Sequence, residues 1–368
     1  MTRFQNLELS PAYDSHVHLR DGTMMETVIP TIRQGGADTV YVMPNLVPPI
    51  TTVAAAVAYR ERLQALAPDV TFLMTLYLDK SITPATIAEA ARAGIAGVKV
   101  YPAGVTTNSE AGVLDYQSYY PVFEAMQEHD LVLNLHGEVP STSARDVGTA
   151  ADGDVVTILN AEPKFLPTLR KLHADFPRLR IVLEHCTTKE ALDAVRACGP
   201  TVAGGITAHH LFIDISDVCG DAFNFCKPVA KTPVDRVALL KAIVDESGKF
   251  FFGTDSAPHP IEAKRGGKKP AAGCFTQGWA TQLVVDAVEE GIANGWLPDD
   301  ISVETLNEFL SGRGRRFYKL PPASQSGQKI VLDRKGERIP EALRSKDGSI
   351  EVVPFRRGEE TYSLTWKS

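Results

Sequence analysis

The sequence predicts an α/β chain folded as a (β/α)8 TIM barrel, and three observations carry that prediction. Eight short runs rich in β-branched and aromatic residues recur between positions 12 and 255. Helix-like stretches separate most of them. Residues able to hold a metal ion or move a proton fall at the ends of five of the eight. Near-continuous apolar runs mark strands covered on both faces, as in a parallel sheet wrapped by helices. Eight such units close naturally into a barrel, whose chemistry gathers at the C-terminal ends of the strands.

The strand runs, in order, are AYDSHVH (12–18), DTVYVM (38–43), VTFLMTLY (70–77), IAGVKV (95–100), LVLNLH (131–136), RIVLEH (180–185), TVAGGIT (201–207) and FFFGTD (250–255). Helices are expected over 53–67, 84–94, 119–129, 164–176, 189–199 and 234–247, where alanine, leucine and charged residues replace the β-branched ones. The expected division is a catalytic barrel over residues 1–320 and a small extension over 321–368. The extension is richer in charge, proline and glycine, with a strand or two at IEVVPF and TYSLTW.

Composition narrows the class of function. With 368 residues, 44% of them hydrophobic, the chain can bury a large core and does not read as disordered. A net charge of −7 argues against nucleic acid or an anionic membrane as the main partner. Five cysteines with no C-x-x-C spacing do not suggest a disulfide framework. The start, MTRFQNLELS, lacks the apolar segment of a signal peptide, and no run approaches membrane-spanning length. A cytoplasmic protein is expected.

The chemistry-bearing residues begin with His16-Val17-His18. Two histidines at i and i+2 on a strand face the same way, so both rings can reach one metal. Lys99 lies near the end of the fourth run, His136 ends the fifth, His185 the sixth and Asp255 the eighth. Each alone has a structural reading: a satisfied core histidine, or an aspartate capping a turn. Lys99 is harder to explain, because a buried ammonium is costly without a partner. Carboxylation by CO2 would convert it into an anionic oxygen ligand and remove that cost.

Together these residues resemble the binuclear centre of the amidohydrolase superfamily. The flanking words are narrower: DSHVHLRDG (14–22), MPN (43–45), KVYPAGVTTNS (99–109), LNLHGE (133–138), LEHCTT (183–188), TAHHL (207–211), GTDSAPH (253–259) and AGCF (272–275). In order and over essentially the whole chain, they resemble the dihydroorotase family of the shorter, single-function type found in bacteria and fungi. The resemblance implies two zinc ions. His16, His18 and Asp255 would hold the more buried ion, and His136 and His185 the more exposed one, with N6-carboxylated Lys99 bridging both. It implies a hydroxide between the metals as nucleophile and Asp255 as general acid and base. The reaction would be the reversible cyclisation of N-carbamoyl-L-aspartate to L-dihydroorotate. The protein would be a homodimer acting on a small molecule, without nucleic acid or membrane.

The same resemblance implies substrate contacts. Arg20, Asn45 and His259 match the family's partners for the ring carboxylate, and a guanidinium suits a bidentate grip. Ala272 would offer backbone contacts to the ring, with Ala271 the alternative one residue earlier. Thr106 and Thr107 lie on a stretch, 101–112, that resembles a lid closing on substrate. His209 and His210 are assigned a structural or supporting role, the basic run KRGGKKP (264–270) reads as a solvated excursion in the loop after the eighth strand, and SGRGRRFY (311–318) is assigned structure. The competing readings are another cyclic amidohydrolase, of hydantoinase or allantoinase type, and a non-catalytic scaffold.

Overall fold

The computed structural model describes residues 4–367 apart from 107–108, 110–111, 144–145, 147–154 and 266–268. Eight parallel strands form one sheet in sequence order: Ala12–Val17, Ala37–Val42, Thr71–Tyr77, Gly97–Val100, Val132–Leu135, Ile181–Leu183, Val202–Ile206 and Phe250–Phe252. All eight expected strands are present, seven within their sequence runs and the second starting one residue early, at Ala37. The first and eighth strands meet where they end. There the Asp255 N–H donates to His16 O (2.8 Å) and the His18 N–H to Ser256 O (2.9 Å). These bonds bring the two ends of the sheet together as a barrel and set Asp255 beside the histidine pair.

Helices cover the outside, among them Val53–Leu66, Pro84–Arg92, Tyr120–Glu128, Ala161–Asp175, Lys189–Ala197, Pro233–Ile243 and Ala280–Ala293. Four of them start on a threonine, Thr52, Thr83, Thr188 or Thr232, whose hydroxyl accepts a first-turn N–H. Such caps contribute about 1 kcal/mol each. The strands read as apolar on both faces because one face meets these helices and the other fills the barrel.

Side-chain alternation divides the barrel interior into layers. In the fifth strand Val132, Asn134 and His136 share the inward face, two residues apart. Val132 joins Tyr13, Tyr41, Val182, Ala203 and Phe251 in an apolar floor that Tyr318 closes from below. Asn134 and Glu184 form a polar middle layer, linked by a 2.6 Å hydrogen bond. Gly253 lies at the level of His16, where a Cβ would stand 2.6 Å from Ser15 Oγ and 3.0 Å from His16 Cβ. His136 and Asp255 reach the top. The basic word at 311–318 belongs to the floor: Arg313 donates to Ile243 O and Phe250 O, and Arg315 is paired with Asp38.

Beyond residue 320 the chain adds Lys329–Asp333, which pairs antiparallel with Leu7–Leu9 from the N-terminus on one side and with Ser363–Lys367 on the other. A short ribbon joins Leu343–Arg344 to Glu351–Val352. The C-terminal segment therefore includes an N-terminal strand in its sheet.

Candidate active site

At the C-terminal mouth, side chains from five strands converge. His16 Nε2 lies 3.4 Å, and His18 Nε2 3.2 Å, from Asp255 Oδ1. His136 Nδ1 lies 3.1 Å from His185 Nε2. A tetrahedral zinc ion with ligands at about 2.0–2.2 Å holds them roughly 3.3 Å apart, so both spacings fit atoms sharing an ion. The far ring nitrogens are also engaged. His16 Nδ1 meets Glu184 Oε2 at 2.7 Å, His18 Nδ1 meets Asn45 Oδ1 at 2.7 Å, and His136 Nε2 meets Glu138 Oε2 at 2.9 Å. Such contacts fix the tautomer and aim the other nitrogen inward, the usual support of a metal-binding imidazole.

Lys99 stands among the same groups with no exposed surface, and its Nζ has no hydrogen-bond partner among the described residues. Burial pulls its pKa down to about 8, against the opposing pull of Glu184 and Asp255. Burial also lowers His18, to about 4, and takes His185 well below the ordinary imidazole range. Burial raises the Asp255 carboxyl, but His16 and His18 outweigh it and hold it below the usual carboxylate range. Neutral imidazoles, an ionised carboxylate and an amine prone to lose its proton make a donor set suited to divalent cations.

The backbone is bent to make this arrangement. Arg20, His185 and Asp255 adopt φ of 61°, 36° and 43°, in the left-handed region that non-glycine residues seldom occupy. His185 directly follows the inward-facing Glu184, and the left-handed turn swings its side chain over the mouth, while Asp255 stands two residues beyond the interior Gly253. Strain of this kind gathers at functional sites because surrounding bonds hold it in place.

A cavity opens above the cluster, with Arg20, Asn45, Tyr101, Thr106, Lys227 and Ala272 among its lining. Arg20 Nε donates to Pro258 O at 2.9 Å, and its Nη2 lies 3.1 Å from His259 Nε2. That same Nε2 is 2.9 Å from Ala272 O. Burial, reinforced by the Arg20 charge, takes His259 down to about 3, so it is a neutral ring at working pH. Ala272 lines the cavity, whereas Ala271 O accepts from Lys264. Asn45 borders the cavity but directs its oxygen to His18, a contact the sequence did not suggest. Thr106 lines the cavity; Thr107 lies outside the described residues. Of the adjacent histidines after the seventh strand, His210 is bonded to Thr207 and to Pro228 O, while both ring nitrogens of buried His209 lack a partner among the described residues.

Glu138, Glu184, Asn134 and Lys227 were not singled out from sequence. Glu138 and Glu184 lie inside words already read, two residues after His136 and one before His185. Their i+2 and i−1 offsets from the histidines are the only signal available.

A barrel whose strand ends present this set of histidines, lysine and aspartate is built as amidohydrolases are, and residues 13–203 match the family model described as amidohydrolase. A probable dihydroorotase of Schizosaccharomyces pombe is 45% identical, over 96% of this chain and 97% of that one. The crystal structure of dihydroorotase from Saccharomyces cerevisiae, in complex with 5-fluoroorotic acid, superposes with a TM-score of 0.90 at 44% identity, covering 99% of each chain. An L-hydantoinase from Arthrobacter aurescens shares the fold, with a TM-score of 0.75 at 15% identity, covering 98% of this chain and 83% of that one. The chain belongs to the dihydroorotase family.

Proposed function

We propose that the protein is a zinc-dependent dihydroorotase, interconverting N-carbamoyl-L-aspartate and L-dihydroorotate plus water in de novo pyrimidine synthesis. One observation carries the reading. Two groups of metal-competent atoms lie near a buried Lys99, whose Nζ has no hydrogen-bond partner among the described residues, beneath a cavity that a guanidinium lines. In this reading His16, His18 and Asp255 hold one zinc ion, His136 and His185 the second, and N6-carboxylated Lys99 bridges them. When bound, the two ions supply the positive charge that polarises the ring carbonyl and activates water toward it.

The chain's own groups do the rest. Asp255, kept ionised by His16 and His18, accepts the proton of the attacking water and passes it to the departing ring nitrogen. Arg20 grips the ring carboxylate and, although burial lowers it to about 10, stays charged at neutral pH. Neutral His259 joins it as a hydrogen-bonding partner, and Asn45 serves both the ligand His18 and the ring. The backbone of Ala272 lines the ring's edge, and Thr106, on the loop after the fourth strand, offers its hydroxyl to the substrate, as Thr107 is expected to. Ring opening at neutral pH adds water across the amide bond and releases a proton, so cyclisation is favoured as pH falls. The carboxylate-bearing pyrimidine held by the Saccharomyces cerevisiae relative supports a site fitted to such a ring.

The reading extends to a catalytic barrel over 1–320 with 321–368 packed on it, and to a cytoplasmic homodimer without nucleic-acid or membrane partners. No described helix is long and apolar enough to cross a membrane. The test is ring opening of L-dihydroorotate by the zinc-replete protein, with hydantoin and allantoin alongside. Dihydroorotate turned over far faster than the others is expected. Turnover of another ring alone would discard the substrate, and no turnover with both metals bound would favour a scaffold.

A further inference from the structure

A second buried cluster, outside the six proposed ligands of the centre, brings together His209, Cys226 and Cys274. They come from three separate segments: the turn after the seventh strand, the stretch before helix Pro233–Ile243, and the excursion after the eighth strand. One ligand atom from each lies within 4.8 Å of the other two, and all three residues are buried. We propose that this cluster is a thiolate-rich site for one divalent cation of the zinc or cadmium class, distinct from the binuclear centre.

Three features point to a ligand rather than to packing. First, His209 has no exposed surface, and neither of its ring nitrogens has a hydrogen-bond partner among the described residues. Leaving such groups unsatisfied in a dry interior is costly, and ligation removes that cost for one nitrogen. His210 next to it meets both Thr207 Oγ1 and Pro228 O, so the deficit is specific to His209. Second, the donor set is one imidazole and two sulfurs, which favours zinc-like ions over magnesium or calcium. Third, the charges balance. Binding displaces the two thiol protons, so two thiolates, a dication and a neutral imidazole sum to zero in a dry interior. Lys264 sets a further positive charge alongside, its Nζ donating to Phe225 O (2.8 Å), Ala271 O (3.0 Å) and Gly273 O (2.9 Å). Those carbonyls include the residues immediately before Cys226 and Cys274.

The position gives the site a consequence. Lys227 follows Cys226 and Gly273 precedes Cys274, and both line the substrate cavity. An ion at the cluster fastens two walls of that cavity to each other and to the turn after the seventh strand.

The proposed centre contains no sulfur, so a thiolate-to-metal charge-transfer band reports the second cluster without reference to turnover. The experiment titrates the reduced holoenzyme, both centre metals bound, with Cd2+ alone. The expected result is an ultraviolet charge-transfer band that saturates at one added equivalent. Cys226→Ser and Cys274→Ser should each abolish it, and replacing the exposed Cys219 with serine should leave it intact. A wild-type protein that develops no such band overturns the proposal, whether or not the serine variants fold. So does a band that survives in Cys226→Ser or Cys274→Ser.

Discussion

At the scale of single residues, Lys99 is the position where sequence, structure and chemistry press hardest on one another. An ammonium there would be buried near His136 and His185 with no hydrogen-bond partner among the described residues, and its pKa is already drawn down to about 8 by burial. The neutral amine this favours can add CO2, forming an N–C bond and releasing a proton. In the proposed centre the resulting anion would offer an oxygen to each of the two ions. Lys99→Ala should therefore lose at least one of the two metals by elemental analysis, and turnover should fall at least about a hundredfold. A short carboxylic acid, small enough for the vacated volume, should restore part of both. Lys99→Arg, which keeps a permanent charge, should not be rescued. Retention of both metals and full turnover in Lys99→Ala would remove the bridge from the proposal.

At the scale of elements, the strands were legible because each buries both faces and so reads as an uninterrupted apolar run ending in a polar residue. The strand ends located His16, His18, Lys99, His136, His185 and Asp255 for the same reason: polarity returns where the inward face meets the mouth. What stayed hidden depends on contacts between distant elements. Glu184 Oε2 bonds His16 from 168 residues away, and Asn45 Oδ1 turns to His18 rather than only to the cavity. Nothing in local periodicity encodes either contact. The cysteine neighbours of His209 are likewise hidden, because they come from other loops. The loop after the fourth strand shows both sides. Its small polar residues marked it as a lid, but its tether was not visible: Lys227 Nζ donates to Val105 O at 2.5 Å, and Ser109 Oγ bonds the backbone of Thr106 at both N and O. These bonds hold Thr106 against the cavity. Replacing Thr106 and Thr107 together with alanine should cut kcat at least about tenfold while metal content stays at two, because the ligands lie on other elements. Unchanged kcat in that double variant would take the hydroxyls out of catalysis.

At the scale of the whole molecule, the barrel is held by ties between units that lie far apart in sequence, and one of them makes stability depend on pH. Leu7–Leu9 joins the sheet of the C-terminal segment, and Tyr318 closes the floor. Between helices Ala161–Asp175 and Lys189–Ala197 the tie is Glu162, whose carboxylate accepts from Thr187 N (2.9 Å) and from the Thr187 and Thr188 hydroxyls. Burial raises its pKa to about 7, with Lys231 and these donors opposing. A carboxyl raised in the folded state binds its proton more tightly there than in the unfolded chain. Its contribution to stability is therefore largest below the unfolded value of 4.5 and is lost as pH rises toward 7. The full span corresponds to an upper limit on the order of 3 kcal/mol. Glu162→Gln removes the titration and keeps the tie, since its carbonyl can accept from Thr187 N while its amide donates to hydroxyls free to rotate. Denaturant unfolding of the metal-replete proteins from pH 4.5 to 7.5 should show wild type losing ground steadily to Glu162→Gln across that range. A difference that stays flat with pH would mean that the folded protein holds Glu162 ionised throughout, with its three donors outweighing burial.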